Sequence, residues 1–250
     1  MSDKVFKFLT YNIHKGFNRY NRGFVLHKIR EQLQSMTVDV VFLQEIHGQQ
    51  LEHQTKVTGW PQETQFEFLA NQLWPHYAYG KNAIYDKGHH GNAILSKHSF
   101  EKWDNINVSR FSWSSRSFLH GVIRSSEHRP PLHLICVHFE FVGFERNRQI
   151  KILSRYINKA IPKHEAIIVA GDFNDWSGRT GLRFEKQSGM REAFRHSRGG
   201  HAKTFPSHRP FLGLDRIYYR GMELIKCDCL SGHPWQGMSD HLPLYAEFSL

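Results

Sequence analysis

The sequence predicts an α/β protein in which two packed β-sheets carry helices on their outer faces. Strand-like apolar segments outnumber amphipathic helical segments, and their ratio is too high for a simple alternation of strand and helix. Several apolar segments end directly in acidic or amide side chains, as strands do at the functional edge of α/β enzymes. A layered α/β sandwich with a polar site at one edge of its sheets is therefore expected.

The predicted strands are short runs rich in β-branched and aromatic residues. They cover residues 5–11, 38–43, 92–96, 117–124, 132–137, 166–170, 214–219 and 242–248. The segment 88–91 is interpreted as a turn because it is rich in glycine. Arg129, Pro130 and Pro131 should separate two neighbouring strands, since proline cannot continue a hydrogen-bonded ladder.

The predicted helices carry apolar residues three or four positions apart, which places them on one face. The first helix contains Leu26, Ile29, Leu33 and Met36. The second covers residues 62–73 and the third covers residues 145–160, where Ile150, Leu153 and Ile157 share a face.

The composition fits one domain spanning residues 1–250, because a chain of 250 residues that is 40% hydrophobic can bury a large core. The sequence contains no run of about 20 apolar residues and no signal-peptide centre, which predicts a cytoplasmic protein without a transmembrane segment. A monomer is expected. Three cysteines are too few for a disulfide framework, and no further ligand pair completes a zinc site with Cys227 and Cys229.

The charge predicts a phosphate-rich partner. The formal net charge is +10, and 18 histidines add positive charge as the pH falls. Nucleic acid, anionic lipid headgroups and small phosphorylated metabolites all satisfy this preference, so the charge does not choose among them.

Four acids near strand ends suggest a hard cation: Glu45, Asp172, Asp215 and Asp240. Because Mg²⁺ prefers oxygen ligands and keeps several waters, one or two of these carboxylates would bind it directly.

Amide and imidazole groups follow the same strands: Asn12, Asn174, His138 and His241. They suit phosphate oxygens during phosphoryl transfer. Asp172 and Asn174 alternate in an extended segment, so both are expected on one side with Phe173 in the core.

These residues lie in motifs that resemble the endonuclease/exonuclease/phosphatase superfamily, in the family's order and over almost the whole chain. The motifs are Thr10-Tyr11-Asn12, Leu43-Gln44-Glu45, Gly91-Asn92-Ala93-Ile94-Leu95-Ser96, Val137-His138, Gly171-Asp172-Phe173-Asn174, Leu214-Asp215-Arg216-Ile217-Tyr218 and Ser239-Asp240-His241. The resemblance implies a DNase I-like four-layer α/β sandwich of two packed mixed β-sheets flanked by helices. It also implies hydrolysis of a phosphoester with a divalent metal ion.

The resemblance also implies roles for individual residues. Glu45 is the principal ligand of Mg²⁺, for which Mn²⁺ can substitute, and Asn12 and Asp240 lie close to the metal. Asp172 positions or deprotonates the attacking water.

The phosphate and proton-transfer roles follow in the same way. Asn174 and His138 hold phosphate oxygens. His241, paired with Asp215, is either the base or a charge-stabilising imidazolium. This pairing is chemically reasonable, because an Asp that accepts a hydrogen bond from a His fixes the tautomer of the ring and stabilises its protonated form.

The opening T-x-N-x-H-K-G and the stretch G-H-H-G-N-A-I-L-S resemble an uncharacterised bacterial branch of the superfamily. They suggest substrate contacts from His14, Lys15, His89 and His90, of which only His90 is adopted as a substrate-binding residue.

Several substrates fit these residues. The alternating basic and aromatic residues of segment 110–116 suit either a nucleic-acid groove or a bilayer interface. Sphingomyelinase-like members resemble the chain in residues 91–96, nucleases resemble it in compact length and positive charge, and inositol-phosphate phosphatases are a third group. We expect a phosphodiesterase, with DNA or RNA slightly ahead of anionic or choline phospholipid headgroups. A non-catalytic binding module is disfavoured because the matching catalytic residues are all retained.

Overall fold

The computed structural model describes residues 5–110, 115–124 and 130–250, and two β-sheets dominate this part of the chain. The strands are, in order, β1 (Val5–Asn12), β2 (Val40–Gln50), β3 (His76–Tyr85), β4 (Gly88–Ser96), β5 (Phe100–Asn107), β6 (Ser117–Ile123), β7 (Leu132–His138), β8 (Ala166–Asp172), β9 (Arg191–Glu192), β10 (Asp215–Arg220), β11 (Glu223–Cys229) and β12 (Leu244–Ser249). The first six-stranded sheet has the order β11-β12-β1-β2-β4-β3, and the second has the order β5-β6-β7-β8-β10-β9.

Both sheets are mixed. β1 runs parallel to β2 and antiparallel to β12, while β7 runs parallel to β8 and antiparallel to β6. The parallel pairs bring the carboxyl ends of these strands to one end of each sheet. The predicted fold of two packed mixed sheets is therefore confirmed.

Helices cover the outer faces of the two sheets. The α-helices are α1 (Leu26–Ser35), α2 (Leu51–Lys56), α3 (Gln65–Ala70), α4 (Gly143–Ala160), α5 (Arg179–Ser188) and α6 (Ala193–Arg198). Leu33 of α1 and Leu69 of α3 pack on the first sheet, and Leu153 of α4 and Phe184 of α5 pack on the second. A third apolar cluster, which includes Phe8, fills the space between the sheets. These clusters define four layers.

Two predicted boundaries were wrong in the first sheet. The strand predicted at 38–43 begins at Val40 and continues to Gln50, so Glu45 lies within the strand and not near its end. The predicted turn at 88–91 is the first part of β4. Gly91 permits this close pairing, because a Cβ there would lie 1.9 Å from the carbonyl oxygen of Gly80.

The helix predicted at 62–73 is shorter, because α3 covers only Gln65–Ala70. Thr64 begins this helix through a capping box in which its hydroxyl accepts from the backbone of Glu67 and the Glu67 carboxylate accepts from the backbone of Thr64. The side chain of Glu67 is therefore committed to the helix start. The following residue 71 has left the helical region of φ and ψ.

Sequence patterns did not predict β3, β5 and β11. These three strands lie at sheet edges. β5 is largely exposed, and β11 mixes exposed and half-buried residues, so neither shows the apolar alternation of a half-buried strand. In β5 every residue is exposed except Phe100 and Ile106, which are half-buried.

Part of the predicted loop at 110–116 and of the predicted break before β7 lies outside the described residues, namely 111–114 and 125–129. In the described ranges no helix combines the length and hydrophobicity required to cross a bilayer. Cys136, Cys227 and Cys229 are free thiols.

A buried chain of hydrogen bonds ties the second sheet to α4. The two ring nitrogens of His120 contact the Tyr156 hydroxyl at 2.7 Å and the His133 ring at 2.9 Å, and His133 contacts Glu165 at 2.6 Å. Burial lowers the pKa of His120 to about 3. A pKa below that of the unfolded chain, about 6.5, means that the unfolded state binds more protons between these values, so acidification removes stability.

We predict that His120→Gln weakens this dependence on pH. When the pH is lowered from about 6.5 to 5, the free energy of unfolding should fall by ~1–2 kcal/mol less in the variant than in the wild type. The variant lacks one group whose protonation favours the unfolded state. Urea unfolding at both pH values measures the difference, and the cost of the substitution itself cancels in the comparison. Equal losses in the two proteins would show that His120 is not linked to acid unfolding. Exposed His208, replaced by Gln, is the control.

Candidate active site

Strand alternation directs four predicted site residues into the space between the sheets. Phe8 of β1, Cys136 of β7, Ala170 of β8 and Ile217 of β10 all belong to the apolar cluster between the sheets. Side chains two or four positions away point to the same side of a strand. This alternation places Asn12, His138, Asp172 and Asp215 beside one another at the end of the sandwich.

Glu45 reaches the site through a bulge. Leu43 of β2 faces the helices, and unbroken alternation would turn Glu45 to that side as well. The pairing of β2 with β4 shifts between Leu43 and Ile46, and Glu45 has a φ of +54°. Bulges next to active sites re-aim side chains in this way, and the left-handed backbone of a non-glycine residue stores strain there.

The close approach of β7 and β8 depends on Gly171. A Cβ at this position would lie 2.0 Å from the carbonyl oxygen of Val137, so no other residue fits without moving a strand. The neighbouring positions, His138 and Asp172, are direct partners in the parallel register. The glycine of the Gly171-Asp172-Phe173-Asn174 motif thus brings the two polar side chains together.

His241 lies between two carboxylates at the centre of the site. Its Nδ1 is 2.8 Å from Asp215 Oδ2, and its Nε2 is 3.8 Å from Asp172 Oδ2. The three side chains are buried. Burial alone would lower the pKa of His241, but the charge and hydrogen bond of Asp215, together with Asp172, raise it. Burial raises the pKa of Asp172. The geometry therefore supports an imidazolium beside a carboxylate that accepts protons near neutral pH.

The Asp172 carboxylate also contacts the side-chain amide of Asn12 and the backbone amide of Asn174. Asn12 Nδ2 lies 3.4 Å from Asp172 Oδ2, and the backbone N–H of Asn174 donates to Asp172 Oδ1 at 2.8 Å. The expectation that 172–174 is extended was wrong, because Asn174 has a φ of +49°, which asparagine tolerates better than most residues. Its side chain nevertheless lies beside Asp172, while Phe173 is buried in the core as expected.

His138 completes this side of the site with a neutral ring. Its Nε2 is 3.6 Å from Asp172 Oδ2, beyond hydrogen-bond distance. Burial lowers the pKa of His138 well below its usual range. A neutral imidazole has one N–H to donate, which suits a phosphate oxygen.

A short basic turn supplies two cations that sequence reasoning did not adopt. In the 3₁₀ turn His14–Gly16, Lys15 Nζ lies 3.0 Å from Glu45 Oε2, and His14 Nδ1 lies 3.1 Å from Asp240 Oδ1. His14 and Lys15 have φ values of +46° and +59°. The sequence signal for both residues is the T-x-N-x-H-K-G motif, which places them directly after Asn12 and Ile13.

These ion pairs set the charge of the two acids. Burial would raise the pKa of Glu45, but neighbouring cationic groups, Lys15 among them, hold it below its usual range. Burial would likewise raise the pKa of Asp240, and the hydrogen bond from His14 holds it down. Both acids are therefore carboxylates, the form that binds a cation.

Ser239 holds the last motif against β1. Its hydroxyl donates to the backbone oxygen of Asn12 at 2.7 Å and accepts from the backbone N–H of His241 at 3.2 Å. This fully buried serine fixes Asp240 and His241 relative to Asn12, a positioning role that its motif alone did not reveal.

His90 lies beside this cluster, not within it. It pairs with His47 in the register of β2 and β4, two positions beyond Glu45. Burial lowers its pKa to about 4, and no described residue gives its Nδ1 a hydrogen bond. A contact with a bound substrate is compatible with this position, and the assignment stays a prediction.

The residues fit a magnesium ion better than a zinc ion. No three His, Cys, Asp or Glu side chains in the described ranges approach closely enough to enclose a metal. Magnesium requires no such cage, because it binds through one or two carboxylates and retains waters. Glu45 Oε2 is buried and pairs with the Lys15 ammonium at 3.0 Å, and an oxygen that holds one cation can bind a metal ion in its place. Asp240 Oδ1 contacts His14 Nδ1 at 3.1 Å, and Asn12 Oδ1 accepts from the backbone N–H of His14 at 3.1 Å, so both oxygens lie at the basic turn that contacts Glu45.

Comparisons with known proteins agree with this fold. The family model described as Endonuclease/Exonuclease/phosphatase family matches residues 9–241. The chain belongs to this family, whose members are generally phosphoester hydrolases. It is 39% identical over 245 residues to the uncharacterised protein YbhP of Escherichia coli (strain K12). The alignment covers 98% of this chain and 96% of YbhP.

Solved structures share the fold at low sequence identity. TDP2 of D. rerio, complexed with a single-strand DNA product, superposes with a TM-score of 0.71 at 17% identity, covering 99% of this chain and 100% of that chain. A mannosyl-6-phosphatase of Bacteroides thetaiotaomicron superposes with a TM-score of 0.72 at 16% identity, covering 98% and 100%. At these identities the likeness concerns the fold.

We predict that Lys15→Met strengthens metal binding. A divalent cation bound at Glu45 would compete with Lys15 for the same carboxylate, so removing the ammonium should lower the dissociation constant for Mn²⁺ about fivefold, the effect of one partly exposed ion pair. Calorimetric titration of the protein without substrate measures this constant. An unchanged or larger constant would show that the two cations do not compete, and Lys163→Met, at an exposed position, is the control.

Proposed function

We propose that the protein is a Mg²⁺-dependent phosphodiesterase that hydrolyses its substrate by in-line attack of water. The observation that carries this proposal is the buried row in which His241 lies between Asp215 and Asp172. Its carboxylate, imidazolium and neighbouring amides match the needs of phosphoryl transfer, in which charge gathers on the phosphate oxygens.

Each residue has a role in this reaction. Asp172 orients the water and takes one of its protons, as its raised pKa favours near neutral pH. The water oxygen bonds to phosphorus, the bond from phosphorus to the leaving oxygen breaks, and that oxygen acquires a proton from solvent. His138 and Asn174 donate hydrogen bonds to phosphate oxygens, and the His241 imidazolium stabilises their charge.

Glu45 would hold the cation, with Asn12 and Asp240 beside it. A bound Mg²⁺ would supply Lewis-acid stabilisation of the phosphate oxygens. Lys15, in contact with Glu45, lies where its ammonium can turn to an incoming phosphate. The site therefore offers several positive groups to one dianionic transition state.

The fold does not choose the substrate. Its structural neighbours include TDP2 complexed with a single-strand DNA product and a mannosyl-6-phosphatase. From the sequence alone nucleic acid is slightly favoured over phospholipid, a prediction that the fold neither supports nor excludes. A binding-only role is disfavoured by the intact row of Asp172, His241 and Asp215. Buried charges lower stability, so their presence suggests that the site uses them.

The metal requirement can be tested directly. With Mg²⁺ or Mn²⁺ the purified protein should hydrolyse bis(p-nitrophenyl) phosphate, because a divalent cation bound at Glu45 would stabilise the transition state. Excess chelator should abolish turnover, and added Mg²⁺ should restore it. Full activity in excess chelator would remove the metal mechanism.

Substitution of the central histidine tests the catalytic row. His241→Ala should lower kcat by at least about a hundredfold, since it removes the imidazolium and leaves Asp215 buried without its partner. The assay is the same chromogenic hydrolysis, with circular dichroism to verify folding. His208→Ala, on the exposed surface of the preceding loop, should retain wild-type kcat. Comparable activity in the two variants would exclude His241 from the chemistry.

A further inference from the structure

Exposed apolar side chains concentrate at the end of the sandwich that holds the active site. β1, β2, β3, β7 and β8 all run toward this end, which we call the site end, and β4, β10 and β12 begin near it. Nine of the fourteen exposed large apolar side chains among the described residues lie in or beside the connections there. Such clustering marks an interaction surface, since isolated exposed apolar residues would be scattered.

The first group follows the catalytic strands of the second sheet. Phe141, Val142 and Phe144 come directly after β7, and they are 59%, 43% and 62% exposed. Trp176 is 49% exposed and lies two positions after Asn174. The rings of Phe141 and Trp176 meet edge to face at 5.3 Å, so the two loops form one continuous patch.

The second group lies across the site on the first sheet. Ile84 and Tyr85 form the end of β3 and are 72% and 38% exposed. Leu51, 50% exposed, is tied to the same hairpin by a hydrogen bond from its backbone N–H to Lys87. The Tyr85 hydroxyl contacts the His47 ring at 3.2 Å, close to the strand position of Glu45.

Two further loops carry single apolar tips. Tyr20, 63% exposed, follows the basic turn that contacts Glu45. Phe211, also 63% exposed, lies in the loop whose Phe205 packs 5.0 Å from the His241 ring. The apolar residues therefore come from loops on both sheets around the site, and not from a single stripe beside it.

Exposed cations accompany these tips. Arg22, Lys87, Arg179 and Arg209 are exposed and lie within three positions of Tyr20, Ile84, Trp176 and Phe211, respectively. Asp86 is an exposed acidic residue in the same hairpin as Lys87. The net charge of +10 makes the whole surface attractive to an anionic partner.

This combination favours a bilayer over a nucleic acid. Aromatic and basic side chains serve both partners, but Leu51, Ile84 and Val142 are aliphatic and cannot stack on bases as aromatic rings do. A bilayer interface accepts aliphatic and aromatic side chains alike, while nearby Lys and Arg bind anionic headgroups. A surface that surrounds the site would also hold the site against the layer of headgroup phosphates.

We propose that the site end docks on the surface of an anionic bilayer, where the phosphodiester that enters the site belongs to a phospholipid headgroup. The substrate part of this inference rests on the proposed function, whereas docking requires no hydrolysis. Cleavage follows the same step as in the proposed function: the water oxygen forms one P–O bond, and the P–O bond to the leaving group breaks.

Vesicle binding in excess chelator tests docking separately from catalysis. The full-length protein is sedimented with phosphatidylcholine vesicles that contain or lack phosphatidylglycerol. The double variant with Ile84→Ser and Trp176→Ser should bind the anionic vesicles about tenfold more weakly, because it loses two inserted apolar side chains. The matched control carries Ile225→Ser and Trp103→Ser, at side chains 51% and 47% exposed on edge strands. It should bind like the wild type.

Three outcomes would overturn the proposal. They are absence of vesicle binding by the wild type, equal losses in the two double variants, and binding only to a single-stranded oligonucleotide, which would assign the surface to nucleic acid. If vesicles bind as expected but bis(p-nitrophenyl) phosphate is not hydrolysed with Mg²⁺, docking stands and the proposed function fails. If bis(p-nitrophenyl) phosphate is hydrolysed but the wild type does not bind vesicles, the proposed function stands and docking fails.

Discussion

One buried hydrogen bond, between His241 and Asp215, joins the two sheets where the site lies. Asp215 begins β10 in the second sheet, and His241 lies three positions before β12 of the first. Neither charge could remain in this buried position without the other, because an unpaired buried ion costs several kcal/mol. The Asn12 contact with Asp172 links the sheets a second time. The order of the site thus depends on the two sheets keeping their relative position, which the large apolar core between them maintains.

The sequence could predict much of the site because strand alternation carries information over distance. Residues 12, 138, 172 and 215 share the parity of apolar residues between the sheets, so the strands that form the core also bring these polar side chains together. The backbone at Glu45 and Asn174 was not predictable. Their left-handed conformations depend on a bulge and a loop that are fixed by tertiary contacts, and no local pattern marks them.

The same limit applies to the fold. Central strands such as β7 and β8 are buried on both faces and appear as continuous apolar runs, whereas the edge strand β5 has mostly exposed side chains and no such pattern. Aromatic residues in the sequence also do not reveal whether they fill a core. Phe139 is fully buried while Phe141, two positions later, is exposed beside the site. The apolar surface around the active site therefore became visible only in three dimensions.

The most direct test of the account is the anomalous scattering of Mn²⁺ in crystals of the protein. The central claim, a single active site shared by both sheets with its cation on Glu45, predicts a peak at about 2.0–2.3 Å from the Glu45 carboxylate. Lys15 would then no longer contact that oxygen. A peak elsewhere, or none at Glu45 when Mn²⁺ saturates the protein in solution, would contradict the claim.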